Sequence, residues 1–170
     1  MKDFYRIVFL KLESRNIAFL LLLFLGFNIA CNKTNSPSSI LTRLIIENGK
    51  SIEPNFSGYV LMIPNDGCHP CIQKALKLTA KYLNHKHIYF VITTDFDFKS
   101  TKLKFSGREI LSNNLVFDIH KKSNQLGLHK SNLTVLYFKE GEMIFEKAIN
   151  PTTASFELFE LQSRIDRIKG

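Results

Sequence analysis

A chain of 170 residues, 45 % hydrophobic and 22 % charged, is long enough to bury one core and too ordinary in composition to be disordered or fibrous. Three cysteines are too few for a disulfide framework, and the odd count sets one of them apart. The net charge of +8 comes from scattered lysines, with no arginine-rich arm or aromatic-interleaved basic patch; it suits anionic headgroups or acidic partners and leaves nucleic-acid binding unsupported.

The chain opens on "MKDFYRIVFLKLESRN", with Lys2, Arg6, Lys11 and Arg15, followed by an unbroken apolar run from Ile17 to Phe27. That run is shorter than the roughly 20 residues a membrane-spanning helix needs, and extending it backwards would bury Arg15, Glu13 and Lys11. It ends at "FNIAC", with Ala30 directly before Cys31. The segment resembles a bacterial lipoprotein signal, in which the cysteine becomes the lipid-modified first residue of the mature chain. Asn28 departs from that pattern, which usually has leucine three residues before the cysteine. An ordinary cleaved signal and an uncleaved anchor are the competing readings, and all three place the remainder outside the cytoplasm. The expected organisation is a signal peptide over 1–30, a lipidated Cys31 with a flexible tether over 31–40, and one domain over 41–170. Removing the signal takes away four of the 23 basic and two of the 15 acidic residues, leaving +6. Asn32 to Ser39 is polar and serine-rich, a tether spanning roughly 15 Å, which keeps the domain close to the membrane.

Beyond the tether, "SGYVLMIPN" (57–65) is a short apolar run bounded by Gly58 and Pro64, as in a buried strand. After Gly67 the period changes. Ile72, Ala75, Leu76, Thr79, Ala80 and Leu83 mark one apolar helix face, with Lys74, Lys77 and Lys81 on a solvated one. Pro70 falls in the first turn, where a missing N–H is harmless. "HIYFVITTDFD" from His87 predicts a second central strand. An uneven helical pattern then leads to a short strand over Leu115–Ile119, and "KKSNQLGL" to a helical turn or loop. Leu133–Phe138 and Glu142–Ile149 predict a hairpin turning at Gly141. Pro151 starts a last helix, with Phe156, Phe159, Ile165 and Ile168 among its apolar positions. Such alternation favours an α/β fold: a central mixed sheet flanked by helices on both faces, with a terminal β-hairpin and a C-terminal helix.

Cys68-His69-Pro70-Cys71 lies where the first strand gives way to the first helix. Unpaired amides and the positive end of the helix dipole favour a thiolate on Cys68. In such settings a cysteine pKa falls from about 8.5 into a range of about 3.5–7.5. Cys71, one turn on, is placed to attack a mixed disulfide formed at Cys68. His69 adds positive charge when protonated, and a stabilised thiolate makes the pair more oxidising, within roughly −270 to −120 mV.

With "GCHPC" after a strand and "TVLYFKEGE" (134–142) as a terminal hairpin, the chain resembles the thioredoxin superfamily from Gly58 to about Ile168. "LVFDIHKKSNQLGL" resembles the insertion of its redoxin branch, home of membrane-tethered thiol–disulfide proteins. The resemblance implies a thioredoxin-like fold, Cys68 as catalytic nucleophile, Cys71 as resolving thiol, and His69 and Pro70 as residues tuning the pair. It implies no cofactor. The partners would be extracytoplasmic proteins with thiols or disulfides, met by a lipid-anchored protein of a bacterial cell envelope facing the periplasm or exterior. Two positions depart from the family. Its cis-proline before the hairpin is Leu133 here, and no proline occurs between Cys71 and Pro151. A non-proline cis bond costs about 2.5–4 kcal/mol, so a trans bond and a reshaped loop are expected. In the family that loop pairs with substrate backbone and covers the sulfurs. The family's buried acid falls on Met62, while Asp66 is expected to face solvent.

Three alternatives stand beside redox exchange. The pair could be a local structural disulfide, or two ligands of a zinc or copper site that needs two more. His85, His87, His120 and His129 show no paired ligand spacing, and Ile72 after Cys71 rules out a CxxCH haem attachment. The third is a non-catalytic binding or assembly module that keeps the fold without turnover.

Overall fold

The computed structural model describes residues 36–64, 66–93, 98–119, 122–125, 127–128 and 132–168. The signal peptide, Cys31 and most of the tether lie outside them, as do His120 and His129. The described elements are α1 (Pro37–Glu47), β1 (Gly58–Ile63), α2 (His69–Tyr82), β2 (Ile88–Thr93), α3 (Phe98–Leu103), α4 (Gly107–Ile110), β3 (Leu115–Asp118), α5 (Lys122–Gln125), β4 (Thr134–Lys139), β5 (Glu142–Ala148) and α6 (Ala154–Arg167).

Five strands form one sheet in the order β3-β2-β1-β4-β5. β1 runs parallel to β2, β2 parallel to β3, and the β4–β5 hairpin joins β1 antiparallel. A βαβ unit with the cysteine pair after its first strand, then an antiparallel hairpin beside that strand and a closing helix, is the thioredoxin-like arrangement. The segment from Leu115 supplies β3, which extends the sheet at its parallel edge.

Both faces of the sheet are covered. Every residue of β1 and β2 is buried, so these strands read as continuous apolar runs without alternation. Leu61, Ile63, Phe90, Ile92 and Leu115 pack with Ile72, Ala75 and Leu76 of α2 and Leu158, Leu161 and Ile165 of α6. Val60, Met62, Val91, Val116 and Leu136 pack on the other face with Leu41, Leu44 and Ile45 of α1. At about 1.5–3 kcal/mol per buried aliphatic side chain, these two layers are the main stabilising term.

Three sequence expectations are corrected. Pro37–Ser39, read as tether, form the first turn of α1, because Leu41, Leu44 and Ile45 at i, i+3 and i+4 give this short helix an apolar face that the sheet buries. On α2, Ala80 is exposed while Leu78 and Tyr82 are buried, since α6 packs beside the sheet-facing stripe and widens it. Phe156 and Phe159 of α6 are 64 % and 63 % exposed; Ala154, Leu158, Leu161 and Ile165 form the buried face instead. Thr79, buried in α2, donates its hydroxyl to the Ala75 carbonyl at 2.9 Å.

Gly58 fixes the approach of β1 to β2. A Cβ there would stand 2.2 Å from the His87 carbonyl oxygen, which itself accepts the Tyr59 N–H at 2.8 Å. Gly58→Ala must therefore push the two strands apart. We expect it to cost well over 1 kcal/mol, on the scale of about 1 kcal/mol or more for a side chain its backbone site cannot accept. Urea unfolding measures this; an unchanged midpoint would contradict the packing described.

Candidate active site

The site begins with the chain direction of β1. This strand sits between β2 and β4 and points its C-terminal end at Pro64. Gly67, at φ +112°, then turns the backbone into α2 in a region that L side chains rarely adopt. Cys68 is the N-cap of α2, extended at φ −65° and ψ 94°, with its carbonyl accepting the Ile72 N–H at 3.0 Å. Its sulfur therefore lies at the helix start, where first-turn amides lack intrahelical partners. Pro70 in that turn contributes no N–H and a pre-set φ, a good fit to its position.

Cys68 and Cys71 are joined as a disulfide, with Cα atoms 5.3 Å apart. The two sulfurs are unequal in setting. Cys68 is half-buried, whereas Cys71 is 5 % exposed and part of the core. Cys71 Sγ lies 3.8 Å from the Pro151 carbonyl oxygen, across 80 residues of sequence. In the reduced pair a Cys71 thiol can donate to that oxygen, which favours its protonated form, while the helix start favours charge on Cys68. His69 and Pro70 are exposed. The His69 ring lies back along α2, its Nε2 3.4 Å from Nε2 of Gln73.

Pro64, Ile72, Asn132, Leu133, Ile149 and Pro151 close around the two sulfurs, leaving a cleft of about 10 Å³. That is no more than one water needs, so an incoming sulfur must approach from outside. Register explains the arrangement: β1–β4 pairing ends at Met62 opposite Thr134, and this sets Leu133 at the level of Ile63 and beside the pair. The Asn132–Leu133 bond is trans, as expected from the missing proline. The Leu133 carbonyl accepts the Ile149 N–H at 2.7 Å, and the Asn132 carbonyl accepts the Thr134 hydroxyl at 3.0 Å. Both carbonyls are thus engaged within the protein. Leu133 itself is 4 % exposed and is the apolar cover over the pair.

The Pro151 carbonyl is held in place by the start of α6. Asn150 Oδ1 accepts from the Thr152 N–H and hydroxyl at 3.0 and 2.9 Å. The Thr153 hydroxyl donates to Glu157, which Lys147 of β5 pairs at 3.0 Å. Burial alone would raise the Glu157 carboxyl, but Thr153 and Lys147 together outweigh it and hold its pKa below the ordinary carboxylate value. This clasp is therefore complete at neutral pH and lost as pH falls through that lowered pKa.

Met62, at the position of the family's acid, is fully buried and belongs to the face packed by α1, away from the cysteines. Asp66 is exposed. The buried Asp118 at the end of β3 is already employed, accepting from the Lys122 and Ser123 N–H groups at 2.9 Å and capping α5. Among the described residues no three His, Cys, Asp or Glu side chains come together as a metal site. The His85 and His87 rings lie 5.8 Å apart and tilted by 56°, with His87 Nδ1 2.9 Å from the Ser57 carbonyl oxygen. Ile149 and Pro151 escaped sequence reasoning as site residues. Their one signal is position: they follow the hairpin that the sequence pattern sets beside β1.

No family model matches the chain, and no curated protein matches it. Among solved structures, a thiol-disulfide oxidoreductase from Bacteroides fragilis NCTC 9343 is similar at 18 % identity, over 65 % of this chain and 86 % of that one, with a TM-score of 0.38.

Leu133→Ala tests the cover. It should cost about 2–5 kcal/mol, as truncation of a buried leucine does, and should make Cys71 react with iodoacetamide nearly as fast as Cys68 once the pair is reduced. Retained protection of Cys71 in a folded variant would show that Leu133 does not shield it.

Proposed function

We propose that the protein is a thiol–disulfide oxidoreductase, lipid-anchored in a bacterial cell envelope, that exchanges with extracytoplasmic proteins through Cys68 and Cys71. The observation that carries this reading is a disulfide at a helix start whose first cysteine is half-buried and whose second is enclosed in the core. With the pair reduced, the Cys68 thiolate attacks a partner disulfide; one partner sulfur leaves as thiolate and takes a proton. Cys71, losing its proton, then attacks Cys68 Sγ, the mixed disulfide breaks, and the second partner sulfur leaves. The partner gains two electrons and two protons, and the pair becomes the disulfide seen here. With the pair oxidised, a partner dithiol drives the same steps backwards through the same mixed disulfide.

Cys71→Ser should trap covalent adducts at Cys68 in cells, and in the wild-type reduced protein Cys68 should be alkylated faster than Cys71 below pH 8. The reverse order would exchange the two roles. A second reading, a binding or assembly module without turnover, is favoured by the apolar Met62 and the engaged Leu133 carbonyl. It gains the case if Cys71→Ser captures nothing and a Cys68→Ser/Cys71→Ser variant retains all partner binding.

The lipid anchor is supported by the signal-like N-terminus and by α1 starting at Pro37, six positions after Cys31. Cys31→Ala should leave an unprocessed precursor or shift the protein to the soluble fraction. Normal size together with normal membrane retention would remove lipidation from the proposal.

A further inference from the structure

A groove runs between α2 and α6 on the face away from the sheet, with a volume of about 360 Å³. Lys74, Lys77 and Lys81 line one wall; Ser155, Phe159 and Gln162 line the other; Leu78 and Leu158 form the floor. No carboxylate lines it. The helices are tied beyond each end of the floor, by Lys74 Nζ donating to Ser155 Oγ and by Tyr82 Oη donating to Asp166 at 2.8 Å. Phe159, 63 % exposed on its rim, and Phe156 one turn before it form an apolar surface that none of the described residues covers.

The position of this groove matters as much as its composition. Lys74, Lys77, Leu78 and Lys81 follow i, i+3, i+4 and i+7, and the same stripe extended back one turn arrives at Cys71. On α6 the wall extended back from Ser155 reaches Pro151, whose carbonyl meets Cys71 Sγ. The groove therefore begins about one helical turn beyond the redox cleft, with the Lys74–Ser155 bond between the two.

We propose that this groove docks the partner whose sulfurs are exchanged, through an acidic segment with interspersed apolar side chains lying three to eight residues from its reacting cysteine. The inference rests on the exchange activity proposed above and names the class of partner. Three ammonium groups supply charge complementarity and faster encounter; Leu78, Leu158 and Phe159 supply the apolar contact. A concave channel between two helices suits the side chains of one chain, whereas a membrane surface would meet protruding residues. The trapped segment gains effective concentration from the groove, which offsets the closed cleft at the sulfurs.

The test uses the reduced full-length protein and three synthetic peptides, each with one cysteine activated as a thiopyridyl disulfide and followed by leucines alternating with glutamate, glutamine or lysine. Thiopyridone release reports attack by Cys68. The glutamate peptide should react about tenfold faster than the glutamine peptide at low salt, within the range of electrostatic steering, and the advantage should fade at high salt. Lys77→Glu/Lys81→Glu should reverse the order in favour of the lysine peptide, Lys77→Gln/Lys81→Gln should abolish it, and Phe159→Ser should slow all three. Equal rates for all peptides, or a preference that survives in the glutamate variant, would overturn the inference. So would lysine-dependent binding to phosphatidylglycerol vesicles without peptide discrimination, which would make the groove a membrane contact. Neutral dithiodipyridine separates the two proposals: if the wild type reacts with it no faster than free cysteine, the exchange reading itself fails.

Discussion

The contact between Cys71 and the Pro151 carbonyl holds the rest of the site in order. It joins the first turn of α2 to the entry of α6, two helices that share one face of the sheet. Because that contact encloses Cys71 while Cys68 stays half-buried, the inequality of the pair follows from packing. The clasp of Asn150, Thr152, Thr153, Glu157 and Lys147 keeps the carbonyl there, so a polar network at the surface sets the environment of a buried thiol. The same pairing of α2 with α6 creates the lysine-lined groove. Chemistry and recognition are thus two products of one helix–helix interface.

Much of this was legible in the residues. β1 and β2 were visible because strands buried on both faces leave unbroken apolar runs, and the hairpin because Gly141 punctuates two β-rich segments. Gly141 has φ +82°, and a Cβ there would meet the Pro54 carbonyl oxygen at 2.2 Å, so glycine is required on two counts. The cysteine pair was legible because its spacing has meaning at a helix start. What escaped has physical causes. α1 begins with Pro37 and two serines, residues that read equally as linker, and only burial of Leu41, Leu44 and Ile45 turns them into helix. Phe156 and Phe159 have the chemistry of a core but sit on the wrong side of α6, since periodicity defines a stripe and not what covers it. Ile149 and Pro151 reach the sulfurs only through tertiary closure, about which spacing along the chain says nothing.

The departures from the thioredoxin pattern that the sequence resembles form a consistent set. Met62 takes a buried position without bringing a proton acceptor to the cysteines, and Leu133 replaces a turn-forming residue with an apolar lid. Leu133 makes the surroundings of the pair drier, and Met62 leaves them without a nearby acid. In such surroundings Cys71, when reduced, is disfavoured as an anion by burial as well as by its carbonyl neighbour. The helix start is then the main source of stabilisation for negative charge, and it acts on Cys68.

The hydrogen bond from Ile149 to the Leu133 carbonyl has a wider consequence. A reading loop with vacant carbonyls can pair with any extended polypeptide and so serves many clients with little regard for their composition. Here the Asn132 and Leu133 carbonyls already accept bonds within the protein, and on the exchange reading a client is told apart by what its side chains offer. On the exchange reading, selectivity of this kind trades breadth for fidelity and confines the protein to a few particular thiols.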